Sequence, residues 1–531
     1  MIVAPQPEAA EAGALVLKRG GNAVDAAIAA AFVQGVVDPL MCGIGGFGSM
    51  QVFMPKRGLH EVLEFYARAP LAATPEMWAD KLLGQSRDGF AFLLEGGISE
   101  QGHLAVCTPG NVKGYAEALS RYGTLDWGEA MAPAIAQAKR GVMVRPHMHW
   151  FWSQDQAGSG QVNTADKLRL TPTGRQVFFR PDGSVRRPGD MLHNPDHTRS
   201  LERLAAEGPE SFYHGALAEE MAADFAASGG LLRKEDFAAY ALSVVQPIWG
   251  EYRGHRIATT PPPASGMLML QILHILEHFE LGALEHNGAQ HIALLAEAMK
   301  RMTIDKDRHM GDPAYVDVPV DRLISRDYCA GLAASIRTGE RASVRRLDRS
   351  QRETTHISAV DDAGNAVALT HTLGSPSGAI SPGLGFLYNG TMSRFDPRPG
   401  RAASIAPGKR RASSAAPTIV FEGERPKIVI GAPGGSYIAP AVAQGIMNVL
   451  DFGMSMLEAV AAPRIVAVSD SIDVSNRVPH YVTDALAAEG YDIKRSWQSY
   501  AFAALHGILI RDGAFSGGAD PQRDGMALLV R

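Results

Sequence analysis

Two threonines and a histidine, Thr354, Thr355 and His356, open the run ETTHISAVDDAGNAVALTHT at residues 353–372, whose alternating apolar positions read as strand, turn and strand. Threonine is a good strand former, so β-propensity explains the pair in an ordinary way. A chemical explanation stands beside it. A threonine hydroxyl is a weak nucleophile until a base lies next to it, and a threonine freed at a chain terminus carries its own base, the α-amine. That amine has an unperturbed pKa of about 7.7 to 8.0, close to what a general base needs at neutral pH. A second stretch would serve the same chemistry. In VIGAPGGSYIAP, residues 429–440, Gly434 and Gly435 end a β run ahead of a helix, so their N–H groups can face developing negative charge as an oxyanion hole does. Taken alone, the glycine pair is equally a plain strand-to-helix turn.

Three other motifs carry less. GIGGFG at 43–48 has the glycine spacing of a dinucleotide fingerprint, but here a helix ending near Pro39 precedes it and a strand follows, the reverse of what nucleotide binding needs. A close backbone crossing is the better expectation. His147 and His149 in PHMHW stand two apart with no carboxylate or cysteine cluster nearby, so no metal site is expected. DKDRHMGDP at 305–313 lacks the glycine and the terminal glutamate of a calcium loop and reads as a helix end and a turn. No cofactor is implied.

The elements that must position these residues change character along the chain. EAAEAGALVLKRGGNAVDAAIAAAFVQGVVDP predicts two alanine-packed helices on either side of Gly20 and Gly21. GSMQVFMPKRGLHEVLEFY predicts a hairpin. Residues 110–310 read as mainly helical, with surface loops over 155–195, and short β runs dominate after 353, followed by the helix IAPAVAQGIMNVLDF. The charged stretch from 337 to 353 has no apolar face and reads as an exposed tether, a natural place for a chain break.

With 531 residues, 46% of them hydrophobic and 20% charged, the chain is of ordinary globular composition. A net charge of −5 with both signs interspersed offers no basic stripe for nucleic acid and no polybasic segment for a membrane surface, which leaves small-molecule chemistry. Cys42, Cys107 and Cys329 are far apart in sequence and read as buried thiols in a reducing compartment. The first residues lack the basic tip and apolar stretch of a secretory signal, so the expected location is cytoplasmic. The strand-like opening leaves room for a short leading segment ahead of Met1.

Taken in order, GGNAVDAAIAAA, GIGGFG, TPGNVKGYAEALSRYG, TTHISAVDDAGNAVALTHTLG, KRRASSAAPTIV and GAPGGS resemble the γ-glutamyltranspeptidase family of N-terminal nucleophile hydrolases, from about residue 5 to 525. The resemblance implies an α/β (α+β) fold, a four-layer αββα sandwich, made as a precursor that cuts itself before a threonine. Carried over residue by residue, it makes Thr354 the nucleophile and Glu353–Thr354 the cleaved bond. The products would be a large subunit, 1–353, and a small one, 354–531, held together as one globular heterodimer, with higher oligomers left open. It makes Thr372 the second threonine that orients the nucleophile, Gly434 and Gly435 the oxyanion pair, and Ser413 and Ser414 the serines that touch a substrate carboxylate.

The recognition positions depart from the family pattern. Tyr66 stands where an arginine normally grips the α-carboxylate of a γ-glutamyl group, with Arg68 two residues on; Gly374 replaces an asparagine; Arg394 replaces the aspartate that binds the α-ammonium, with Asp396 two residues on. The inverted charge at 394 points to an acid without an α-amino group, held by Ser413, Ser414 and a nearby arginine. Hydrolysis of oxamate to oxalate and ammonia is the favoured activity on this reading. A γ-glutamyltransferase or glutathione hydrolase is the alternative, and a glutaryl-type cephalosporin acylase the third. A non-catalytic binding homologue is disfavoured by the two threonines and the glycine pair.

Overall fold

The computed structural model describes residues 1–86, 89, 91–156, 160–346 and 354–530. Its first helices are the alanine-packed pair, α1 (Pro7–Lys18) and α2 (Ala23–Val37). Small side chains let them approach so closely that a Cβ on Gly13 would lie 2.9 Å from the carbonyl oxygen of Ala26. Asn22 caps α2 by accepting from Val24 and Asp25 N–H, and Asp25 returns a bond to Asn22 N–H, a reciprocal box that fixes the helix start. All fifteen residues of α2 are buried, so the helix has no solvent face.

Two fully antiparallel sheets form the centre. In chain order their strands are β1 (Ile2–Ala4), β2 (Phe47–Met54), β3 (Leu59–Phe65), β4 (Ser243–Val245), β5 (Ile248–Tyr252), β6 (His255–Thr259), β7 (Thr355–Val360), β8 (Ala366–Thr372), β9 (Thr418–Glu422), β10 (Arg425–Gly431), β11 (His506–Arg511), β12 (Ala514–Ala519) and β13 (Met526–Leu528). One sheet runs β13-β1-β7-β8-β2-β3-β4, and the other β12-β11-β10-β9-β6-β5.

Strand alternation sorts the side chains into layers. Val360, Ala366 and Ala368 of the first sheet meet Ile419, Val429 and Ile508 of the second in one apolar cluster between the sheets. The opposite face of the first sheet, with Ile357, Ala359, Val367 and Leu369, packs on α1, α2, α3 (Asn111–Tyr122) and α4 (Trp127–Arg140). The outer face of the second sheet, with Ile257, Val420, Ile428 and Leu509, packs on α5 (Gly266–Leu276), α6 (Ala289–His309), α7 (Arg326–Arg337) and α8 (Ile438–Leu450). Helices, sheet, sheet and helices make the four-layer αββα sandwich. Strands from both sides of residue 353 pair within each sheet, through β1–β7 and β8–β2 in the first and β6–β9 in the second.

Three regions differ from their sequence reading. The mainly helical span 110–310 contains β4, β5 and β6, because IWGEY and HRIAT flank a turn at Arg253 and Gly254, both with left-handed φ. The loop-like span 155–195 holds short helices at Thr164–Leu168 and Pro172–Phe178, which bury Leu168, Val177 and Phe178 in the apolar cluster although polar residues flank them in sequence. The exposed tether is anchored at its start: α7 extends to Arg337, Val344 is buried, and Arg346 pairs with Asp307. Residues 347–353 lie outside the described residues. All three cysteines are buried thiols. Among the described residues no helix is long and apolar enough to cross a membrane.

Candidate active site

The hairpin β7–β8 pairs Thr355 with His371, which sets Thr354 opposite Thr372 as the next position in register. Side chains alternate across the sheet, so Thr354, Thr370 and Thr372 turn toward the second sheet, whereas Thr355 and His371 turn toward α2. The helix side is locked by one amide. Gln34 Nε2 donates to Thr355 Oγ1 at 2.9 Å and to Gln6 Oε1 at 2.7 Å, while its Oε1 accepts from His371 Nε2 at 2.6 Å. His371 Nδ1 is thereby left to accept from Tyr115 O–H at 2.5 Å, which fixes the neutral Nε2–H tautomer. Burial pushes the His371 pKa down to about 3.

The sheet-to-sheet side is locked in the same way. Ser358 Oγ donates to the carbonyls of Val429 and His506, so it accepts from His356 Nε2 at 3.1 Å, and His356 Nδ1 accepts from Thr370 O–H at 2.8 Å. Burial, and then the neighbouring His371, push the His356 pKa down to about 3. Gly431 on β10 passes against this ring; a Cβ there would lie 2.2 Å from His356 Cε1.

Thr354, Thr370, Thr372, Gly374, Ser413, Ser414 and Gly435 line one small recess with Arg394 and Arg411. Thr372 Oγ1 accepts from Gly374 N–H at 2.7 Å. Gly374 has φ +76°, a conformation a larger residue would resist, and its carbonyl accepts from Arg394 Nη2 at 3.1 Å. The crossing expected at GIGGFG is here: a Cβ on Gly46 would stand 2.3 Å from the carbonyl oxygen of Thr372. The carbonyl of Thr354 accepts from Arg523 Nη1 at 3.4 Å. Gly434, with φ +146°, lies directly against Ala503, and the turn it makes with Gly435 carries the chain from β10 to α8. Ser413 is held by its backbone, donating to Pro263 O at 2.7 Å and accepting from Ser265 Oγ at 2.8 Å.

Arg394 and Arg411 are only 8% and 2% exposed. Arg411 lies over the Phe47 ring, 4.9 Å from its centroid. Burial first, and the like charge of Arg394 second, push the Arg411 pKa down to about 9. Both guanidinium groups belong to side chains that line the recess with Thr354. No aspartate or glutamate is among the described residues lining the recess. Asp396 does not replace the missing aspartate, because both its oxygens are taken by Arg398 at 2.8 Å.

Tyr66 and Arg68 do not line the recess. Tyr66 is buried behind it in an apolar cluster with Phe47, Met392 and Phe395. Arg68 spends its guanidinium on the carbonyls of Ala241 and Gly408. Glu353 lies outside the described residues. Sequence reasoning missed Arg411 and Thr370. KRRASS put an arginine two residues before Ser413, and strand alternation put Thr370 on the face of Thr372; those were the available signals. His147 faces Asp38 at 3.4 Å, His149 faces the carbonyl of Arg186, and no group of three metal-ligating side chains is found among the described residues.

The Gamma-glutamyltranspeptidase family profile matches residues 9–530. The chain is 36% identical to an acylase ACY 1 proenzyme of Pseudomonas sp. (strain V22), over all of this chain and 93% of that protein. It is 32% identical to a glutathione hydrolase proenzyme of Bacillus subtilis (strain 168), over 99% of this chain and 91% of that one. Among solved structures it is similar to a cephalosporin acylase from Bacillus halodurans, with a TM-score of 0.86, 29% identity, and coverage of 99% and 94% of the two chains. With the sandwich and this likeness along its length, the chain belongs to the γ-glutamyltranspeptidase family of N-terminal nucleophile hydrolases, enzymes that act on amide C–N bonds.

Proposed function

We propose that the protein is a self-processing N-terminal threonine amidohydrolase whose acyl substrate is a carboxylic acid without an α-amino group. One observation carries the choice of substrate: two buried arginines and two serines share the recess with Thr354, and no carboxylate among the described residues lining it is available to an α-ammonium. Arg394 or Arg411 would hold the acyl carboxylate by charge-assisted hydrogen bonds, with Ser413 and Ser414 beside it. The acylases among the relatives support an N-acyl amine of this kind. Oxamate is the smallest member of the class and a glutaryl amide a longer one.

In processing, Thr354 Oγ attacks the carbonyl carbon of Glu353 and the peptide C–N bond breaks. The hydroxyl proton goes to the nitrogen, which becomes the Thr354 α-amine, and water hydrolyses the resulting ester to leave a Glu353 carboxylate. In catalysis the amine takes the Oγ proton as Oγ attacks the substrate amide. Gly434 and Gly435 N–H groups would meet the oxyanion, and the amine leaves with the proton. Water then cleaves the acyl ester. The neutral histidines hold the two strands without adding charge, and Gly374 and Gly46 fix Thr372 from either side. Because strands of the two pieces pair in both sheets, cleavage would leave them bound as one heterodimer.

The test is hydrolysis by the full-length protein of glutaryl-4-nitroanilide, γ-glutamyl-4-nitroanilide and oxamate, with Thr354→Ala as blank. Turnover of the glutaryl anilide or of oxamate at least about tenfold faster than the γ-glutamyl anilide is expected. Fastest turnover of the γ-glutamyl anilide would overturn the acyl assignment in favour of the glutathione hydrolase reading.

A further inference from the structure

The turn that follows Thr372 is gripped by residues far ahead of it in the chain. Its first residue, Gly374, donates its N–H to Thr372 Oγ1 and accepts from Arg394, so the turn bears directly on the second threonine of the recess. The Ser375 carbonyl accepts from Gly390 N–H, and the Ser377 carbonyl accepts from Gly102 N–H at 2.8 Å. Gly378, with φ +78°, runs so close to the short helix Thr164–Leu168 that a Cβ there would lie 2.0 Å from the carbonyl oxygen of Lys167.

From that helix Lys167 reaches back into the turn. Lys167 Nζ donates to Ser375 Oγ at 3.1 Å and faces Glu100 Oε2 at 3.6 Å, and both charged side chains are only 3% exposed. Glu100 Oε2 also accepts from Val162 N–H at 3.4 Å, while Glu100 Oε1 is buried with no hydrogen-bond partner among the described residues. An ion pair taken out of water in this geometry returns little stability, because its attraction must first offset the lost hydration of both charges. Packing alone therefore does not account for it. What the pair supplies is a charged donor, aimed across 208 positions of sequence at the turn that touches Thr372.

We propose that Lys167 and Glu100 are positioning residues for amide hydrolysis. The ammonium holds Ser375, Ser375 fixes the turn, and Gly374 N–H then occupies one lone pair of Thr372 Oγ1, so the direction of the Thr372 O–H follows the turn. Neither Lys167 nor Glu100 is among the described residues lining the recess, so their effect falls on the bond-making step and not on substrate affinity. The inference rests on the reading of Thr354 as nucleophile with Thr372 beside it. It is independent of which acyl group the recess takes.

The experiment uses the full self-processed chain and whichever of the three amides above it cleaves fastest. Ser375→Ala keeps the ion pair and removes its contact with the turn; Lys167→Met/Glu100→Gln removes both charges, so that no carboxylate is left buried and unpaired. Each is expected to lower kcat by about tenfold with KM within about twofold, and all three changes together to lose no more than either alone, since they break one chain of contacts. Unchanged kcat in Ser375→Ala, a loss confined to KM, or losses that multiply to about a hundredfold in the combined variant would overturn the proposal. Should the charge-free variant not fold, Ser375→Ala decides. Hydrogen exchange over residues 373–378 is followed in the same proteins, and it is expected to quicken in the variants. Activity that survives in Thr354→Ala removes the nucleophile reading, whereas faster exchange in Ser375→Ala still supports the hold on the turn. Exchange as slow as in wild type overturns that hold, whatever the nucleophile.

Discussion

The strand pair bearing Thr354 and the turn at 374–378 adjoin one another yet are held on different principles. Around the recess the reacting positions are set by backbone: strand register sets Thr354 opposite Thr372, Gly374 N–H donates to Thr372, and the Gly46 backbone crosses so close to the Thr372 carbonyl that no side chain fits between them. The neighbouring polar side chains His356, His371, Thr355 and Gln34 are fully buried and mutually satisfied. The turn is held instead by a buried ion pair, Lys167 and Glu100, in which Glu100 Oε1 has no hydrogen-bond partner among the described residues. The first arrangement suits bond-making chemistry, which needs fixed geometry. The second returns little stability for the charge it buries, so what it contributes is direction. The difference teaches that the folding of the strands and the orientation of the second threonine can be altered separately in this molecule.

The sharpest way to break the comparison is to remove the nucleophile. Thr354→Ala is expected to leave one uncut chain of 56.7 kDa on a denaturing gel, where wild type gives pieces of 353 and 178 residues, about 38 and 19 kDa in proportion. Amidase activity should fall by more than about a thousandfold, since the residue supplies both nucleophile and base. Two fragments from this variant would mean that the cut and the chemistry lie elsewhere. Next in size is Arg411→Met, which keeps an apolar contact on Phe47 and removes the charge. Loss of a charge-assisted hydrogen bond of about 1.5–3 kcal/mol should raise KM for a carboxyacyl amide by roughly 10- to 100-fold, with a smaller change in kcat. An unchanged KM would move the carboxylate anchor away from the recess.

Much of the sandwich was legible from local pattern. The alanine helices, the hairpin at 47–65 and the strand pair at 355–372 each carry their period and turn signal within a short window. What was hidden depends on contacts between distant segments. Arg411 acquires meaning only when the turn before β9 brings it beside Thr354, 57 positions earlier in the chain. Arg68 looked available in EFYARAP, but Ala241 and Gly408 offer carbonyls that satisfy its guanidinium. Gln34 sits in a helix that otherwise reads as pure core, so its role between Thr355 and His371 had no pattern to reveal it. Lys167 was equally hidden, since the Ser375 hydroxyl it meets stands 208 positions further along the chain.

Acid should act on the strand pair through its histidines. His356 and His371 are held neutral with pKa values near 3, below the value of about 6.5 in an unfolded chain. Their contribution is therefore fully present above pH 6.5 and is lost as pH falls from there toward 3, because only the unfolded chain takes up the protons. Between about pH 7.5 and 5.5 the loss comes to about 1.4 kcal/mol for each ring. Thermal unfolding followed across this range should show stability falling with acid, and a smaller fall in His356→Gln. An equal slope in that variant would mean that the ring behind Thr370 does not report on folding.

The smallest effect expected is also the most selective. Salt shortens the Debye length from about 10 Å at 0.1 M to about 3 Å at 1 M, which weakens exposed charge contacts far more than buried ones. The Lys167 and Glu100 side chains are each only 3% exposed. Raising salt over this range should therefore change the ratio of kcat between wild type and Ser375→Ala by less than about twofold. The ratio, unlike either kcat, cancels any salt effect on the chemistry common to both proteins. A ratio that falls close to one in 1 M salt would mean that ions from solvent reach the pair, so that buried charge would no longer set the turn apart from the strands.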